Sequence, residues 1–169
     1  DKDDMMEKER NEDKLKRLRE KAFAEMKEPR DWPIVFKSGE TYEGQISKDG
    51  LADGYGVWRF PKNGRYCGQF RNGKANGVGV RTFKDGSTYF GEFVNDQKHG
   101  FGVKVNIDGS EYAGEYVLDV RCGLGVYRSS IGIMYEGNFS MNLFEGYGIR
   151  KYFFFLRIST PPLLTPVLH

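Results

Sequence analysis

The stretch "DGSTYFGEFVNDQKHGFGV", residues 85 to 103, decides the fold. It places a tyrosine, a glycine two residues on and an aromatic two after that ahead of a Gly-x-Gly pair. The same tyrosine recurs as Tyr42, Tyr66, Tyr89, Tyr112 and Tyr135, at spacings of 24, 23, 23 and 23 residues. The Gly-x-Gly pairs beginning at Gly54, Gly77, Gly100, Gly123 and Gly146 are all 23 apart. The one extra residue therefore falls in the first loop, "SKDGLADG". A fixed period of this length marks a repeat array and takes precedence over any search for a single globular core.

Within a repeat the alternation is that of strands. Tyr89, Gly91 and Phe93 share one face while Phe90, Glu92 and Val94 take the other. Tyr42/Gly44/Ile46, Tyr112/Gly114/Tyr116 and Tyr135/Gly137/Phe139 keep the same parity. The return strands carry a second apolar row, Tyr55/Val57, Val78/Val80, Phe101/Val103, Leu124/Val126 and Tyr147/Ile149. Asn-Gly, Asp-Gly and Asn-Asp pairs tolerate the positive φ of tight turns, so each repeat reads as a β-hairpin. Five hairpins predict ten strands and a single-layer, elongated, twisted antiparallel sheet, roughly 48 Å long at about 4.8 Å per strand. With no second layer, each ring must bury itself among its neighbours, and the glycines leave space for an adjacent ring to lie flat.

The pattern Tyr-x-Gly-x-aromatic, a loop, Gly-x-Gly-Val and Asp-Gly resembles the MORN repeat (membrane occupation and recognition nexus), in five copies over about residues 38 to 152. Departures are local: Leu118-Asp119 replaces an Asn-Gly turn in the fourth copy, and the fifth runs into "FFFLRISTPPLLTPVLH". Proteins with such repeats include radial-spoke and other axonemal components, junctophilins, plant phosphatidylinositol-phosphate kinases and protozoan cytoskeletal scaffolds. The resemblance implies a binding platform without catalysis of its own.

Residues 1 to 28 differ sharply from the repeats, being dense in both signs of charge and free of glycine and proline. They predict one charged N-terminal α-helix, with Leu15, Leu18, Ala22, Phe23 and Met26 as an apolar stripe. Pro29 and Pro33 end it, giving a linker over 29 to 37. The repeats follow over 38 to 152, then an apolar, proline-containing tail over 153 to 169. The tail's "FFFL" is expected to cap the last strand. Residues 1 to 12 are so highly charged that full docking of the helix on its own sheet would bury unpaired ions. The helix is therefore expected to project and use its stripe on a partner.

Over the 169 residues, Lys and Arg exceed Asp and Glu by only 2, so no whole-chain field draws the protein to nucleic acid or anionic membrane. The longest apolar run, "YFFFL", is far short of the ~20 residues a spanning helix needs, and no secretory h-region precedes the charged segment. The reading is a soluble cytoplasmic protein, not transmembrane. Cys67 and Cys122 show no metal-ligand spacing. His99 sits at a loop position, and His169 has no nucleophile motif to pair with. Gly-x-Gly never extends to a phosphate loop. No cofactor, metal or catalytic residue is expected, and the chain reads as no enzyme.

Two candidate sites remain. The aromatic face, Tyr42, Phe70, Tyr89, Phe93, Tyr112, Tyr116 and Tyr135, is expected to stand half-uncovered and to bind a segment of a protein partner. From Arg59 to Lys84 run seven cations, Arg59, Lys62, Arg65, Arg71, Lys74, Arg81 and Lys84, and no acid. That run is either a solvated surface or a site for an acidic protein or anionic lipid. The leading expectation is a structural scaffold or adaptor in a ciliary axoneme or other cytoskeletal assembly. The alternative is a membrane-tethering module.

Overall fold

The computed structural model describes residues 33–152. They form one open antiparallel sheet of eleven strands in chain order, β1 (Ile34–Val35), β2 (Thr41–Ile46), β3 (Ala52–Phe60), β4 (Gly64–Arg71), β5 (Lys74–Thr82), β6 (Thr88–Val94), β7 (Gln97–Val105), β8 (Glu111–Val117), β9 (Val120–Arg128), β10 (Ile133–Ser140) and β11 (Leu143–Tyr152). Ten of these are the five hairpins that the period predicts. The eleventh, β1, is a two-residue strand that pairs Ile34 with Tyr42 and Val35 with Thr41 ahead of the array. The predicted helix over residues 1 to 28 and the tail from 153 to 169 lie outside the described residues. Among the described residues no helix is long and apolar enough to cross a membrane.

Register explains the glycines. Gly44, Gly56, Gly68, Gly79, Gly91, Gly102, Gly114, Gly125, Gly137 and Gly148 stand opposite one another strand after strand. They make one unbroken glycine row across β2 to β11. The first glycine of each Gly-x-Gly has a different task. In every hairpin the return strand carries extra residues against its partner, as between Gly91 and Glu92 on β6. Gly100, at φ 57, lies in that bulge, where an L side chain would be strained. On its other side each return strand meets the next repeat in regular register, as β7 meets β8. A bulge on one edge only bends and twists the sheet at each step.

The turns follow the sequence closely. Asn95-Asp96, Leu118-Asp119 and Met141-Asn142 hold positive φ at both residues, and Asn72-Gly73 does the same, as tight hairpins require. The first hairpin is longer, closing through Gly50 N–H to the Ser47 carbonyl at 3.0 Å, and so accommodates the extra residue. Successive turns also bond to each other. Asp96 N–H donates to the Ala75 carbonyl at 2.9 Å, and Ala75 N–H donates back to the Asp96 carboxylate at 2.8 Å. Asp119 with Lys98, and Asn142 with Arg121, repeat the arrangement, which stitches the array along the hairpin-turn side.

The core is a file of rings on the tyrosine face. In order it runs Tyr42, Phe70, Tyr66, Phe93, Tyr89, Tyr116, Tyr112, Phe139, Tyr135, and each neighbouring pair meets edge to face at centroid distances of 4.8 to 5.4 Å. Such contacts contribute about 0.5–1.5 kcal/mol each beyond area burial. Summed along the file they match the whole stability of an ordinary domain in magnitude, so the rings hold successive repeats together.

Candidate functional site

Each tyrosine ring folds back over the glycine row. Tyr89 Oη reaches the Glu92 carbonyl at 3.1 Å, and Tyr42, Tyr66, Tyr112 and Tyr135 donate in the same way to the carbonyls of Gln45, Gln69, Glu115 and Asn138. The space left by the glycines is thus filled by the tyrosine of the same strand, where the sequence suggested an adjacent ring. A methyl group at Gly102 would sit 2.2 Å from Tyr89 Oη. The residue that lends its carbonyl also lends its side chain: Gln45 Oε1 accepts Tyr55 N–H at 2.8 Å and Gln69 Oε1 accepts Val78 N–H at 2.7 Å. Tyrosine, glycine, and an amide or carboxylate three residues after the tyrosine form one unit that closes the bulge.

Burial moves the phenols. Loss of solvent, with the Asp53 charge adding to it, pushes Tyr42 up to about 12. Tyr66, Tyr89, Tyr112 and Tyr116 are pushed further up, desolvation being the chief cause in each. The seven aromatic residues singled out from the sequence are all at most 7% exposed. The half-uncovered aromatic face is therefore corrected: those rings are core. A single-layer sheet hides them because each ring is wide enough to cover a glycine pair and meets two others at right angles.

What borders the file is a second period that the sequence reading passed over. Trp58, Arg81, Lys104, Tyr127 and Arg150 are 23 residues apart and stand opposite the tyrosines. With Phe36, Phe60 and Phe83 they build a column toward the inter-repeat turns. Phe36 stacks on Trp58 at 5.1 Å and Trp58 on Phe60 at 5.9 Å. The Arg81 guanidinium covers the Phe60 ring at 4.4 Å, and Lys104 Nζ covers Phe83 at 3.8 Å. Such contacts are worth about 0.5–2 kcal/mol each. Burial lowers the pKa of both cations, the cost of placing them there. Beside them an open cavity of about 550 Å³ is lined by Asn63, Arg81, Phe83, Lys84 and Asp85.

The seven-cation run does not stay together. Arg59 and Arg65 face each other across β3 and β4, on the side opposite the tyrosines, and Arg59 also holds Glu43 at 2.7 Å. Arg71 and Lys74 flank the hairpin turn at the other end of β4. Arg81 lies on the tyrosine face in the column, while Lys62 and Lys84 sit at the inter-repeat turns beside β3 and β5. His99 lies on β7 opposite Glu92, in a strand where the sequence suggested a loop. Burial raises the thiol pKa of Cys67, which Arg65 and Arg59 partly oppose, and of Cys122, so neither is poised as a thiolate. The stripe Leu15, Leu18, Ala22, Phe23 and Met26 lies outside the described residues. Among the described residues no group of acidic, His or Cys side chains is placed to hold a metal.

The second apolar row lies on the face opposite the ring file, and no other described element crosses it. Its exposure climbs toward the C-terminal repeats, from 8% at Phe101 and 3% at Val103 to 44% at Leu124 and 94% at Tyr147. Comparison with curated proteins found no match. Comparison with family models matched the MORN repeat at residues 42–65, 66–88, 89–111, 112–134 and 135–153.

Proposed function

The chain belongs to the MORN-repeat family, and on that premise we propose that it is a non-catalytic scaffold or adaptor whose array binds protein partners within a ciliary axoneme or other cytoskeletal assembly. The observation that carries the reading is the second apolar row. It repeats every 23 residues and lies open at the C-terminal repeats, where Leu124 is 44% and Tyr147 94% exposed, and a row of that kind suits an extended or helical segment laid along those repeats. The ring file cannot serve this purpose directly, because its side chains are already packed against one another. The cytoskeletal setting is supported by the company MORN repeats keep in other proteins, and the projecting use of residues 15 to 26 by their stripe alone. Proximity labelling in ciliated cells tests the proposal: axonemal or other cytoskeletal proteins should be enriched, and Leu124→Asp should weaken their capture while the sheet stays folded. Enrichment of unrelated soluble enzymes, unchanged by Leu124→Asp, would sink it.

A second reading has its own observation. Like charges directly opposed across two strands are unfavourable, and Arg59 and Arg65 are so placed with Lys62 in the turn between them. An anionic lipid headgroup would relieve that repulsion. Liposome sedimentation separates the two readings. Salt-sensitive binding to phosphoinositide vesicles, lost when Arg65, Arg71 and Lys74 are neutralised, would establish lipid binding through the cation run. Loss on changing Arg65 alone would place it at the Arg59–Arg65 pair.

A further inference from the structure

Two polar side chains of the column beside the ring file find their acceptors at one fixed place in the period. Trp58, opposite Tyr42, donates Nε1–H to the Glu40 carboxylate at 3.2 Å. Lys104, opposite Tyr89, donates from Nζ to Ser87 Oγ at 2.6 Å. In both cases the acceptor lies two residues before the tyrosine. Arg81 stands opposite Tyr66, and two residues before Tyr66 is Gly64, which has no side chain to offer. Gly64 has φ 87, and a Cβ there would run into the Thr82 carbonyl oxygen, so the backbone itself keeps an acceptor out of that place. Arg81 Nε is accordingly buried without a hydrogen-bond partner, one of two such side-chain atoms among the described residues. The acid whose charge acts on Arg81, Asp96, is bonded to Ala75 N–H at the far end of β5. Arg150, the other arginine of the column, lies on β11 and is exposed.

We propose, resting on the scaffold reading above, that the open cavity beside Arg81 takes the carboxylate of an aspartate or glutamate side chain from the protein partner, standing to Arg81 as Glu40 stands to Trp58. Of the seven cations in the run, Arg81 and Lys84 line this cavity, and Asn63 brings an amide to it. Lys84 and Asn63 are exposed, so an incoming side chain meets them first. Phe60 covers the face of the Arg81 guanidinium at 4.4 Å, and a face so covered leaves the planar N–H edge for a planar acceptor, the geometry in which guanidinium and carboxylate pair best. Asp85 also lines the cavity, but its carboxylate is engaged within its own turn, accepting Ser87 N–H at 2.9 Å and Ser87 Oγ–H at 2.6 Å. The cavity therefore holds two cations whose charge nothing at its wall matches, and a buried cationic donor left unpaired is costly enough to favour an external acceptor.

Proton–nitrogen spectra of the full chain, read at the Arg81 Nε–H signal, test this with three probes: a capped peptide of four glutamates, the same peptide with glutamines, and inorganic phosphate. The glutamate peptide should shift the signal saturably and the glutamine peptide should not. Lys84→Gln, a change at an exposed residue, should weaken the glutamate peptide about threefold, and Arg81→Gln, followed at the Lys84 amide, at least tenfold. Asn63→Asp places a carboxylate in the cavity from within the chain; it should move the Arg81 signal without any probe and abolish the response to the peptide, which a merely structural role for Arg81 would not produce. An Arg81 signal indifferent to the glutamate peptide would overturn the proposal, as would a response that Lys84→Gln and Asn63→Asp leave unchanged. Phosphate binding more tightly than the glutamate peptide would overturn the carboxylate assignment in favour of a phosphoryl group. The scaffold reading is tested separately at Leu124 on the opposite face. Partners lost in Leu124→Asp with Arg81 silent would remove this site alone, whereas an Arg81 response with no cytoskeletal partner captured would keep the carboxylate site and remove the cytoskeletal setting.

Discussion

Gly102 and Gly109 are the same residue type with different reasons for being there. Gly109 has φ 82 and open space around its α-carbon, whereas Gly102 lies beneath the Tyr89 ring. Gly109→Ala should therefore cost about 1 kcal/mol, the strain of an L residue at positive φ. Gly102→Ala should cost about 3 kcal/mol, since the Tyr89 ring must leave its place. Urea unfolding of the two variants checks the ordering, and equal costs would contradict the ring-over-glycine account. Tyr89→Phe keeps the ring but strands the Glu92 carbonyl, so a loss of about 1–2 kcal/mol is expected. The phenols also set the alkaline limit. Below pH 10 they are neutral in both states. Above it the unfolded chain releases phenolic protons that the folded rings retain, so stability falls as pH rises from 10 toward about 12 for Tyr42 and higher for the others. Phenolate absorbance should rise together with loss of the sheet; ionisation near 10 with the strands intact would refute the burial.

At the scale of the element, the hairpin turns separate what the backbone needs from what the sequence supplies. Leu118, at φ 48, occupies a turn position that the second repeat gives to Asn72, at φ 50. A bulky residue at positive φ is strained by about 1–2 kcal/mol, and asparagine tolerates the same conformation more easily. Leu118 is also 49% exposed and has little burial to lose. Leu118→Asn is therefore expected to raise the thermal midpoint by a few degrees, measurable by calorimetry. Asp119 next to it is held well below the usual carboxylate range: burial opposes this, but hydrogen bonds from Lys98 and its charge outweigh it. Both partners belong to the stitch between turns, so the change should act on the junction between repeats three and four.

Over the whole molecule, stability is a sum of neighbour contacts, and the neighbours are not equal. Buried positions run from β2 to β8 and return on β10, most densely on β6, while every residue of β11 is exposed. Amide exchange should be slowest in β5 to β8 and fastest in β11, falling off along the array as in other one-dimensional folds.

The period, the hairpins, their number and the tyrosine face were all legible in the chain. A strand's side chains alternate and a turn needs special φ, and both leave marks within a few residues of each other. The extra residue in the first loop and the strain at Leu118 could be located in the same local way. What only the tertiary structure decided was which strand edge carries the bulge, and with it the meeting of ten glycines in one row. The rings looked like open surface in the sequence because exposure depends on the neighbouring strand's register, which lies 23 residues away. The cation run shows the converse: seven charges contiguous in sequence are scattered over both faces and both ends of the strands, because each strand reverses direction and each residue changes face.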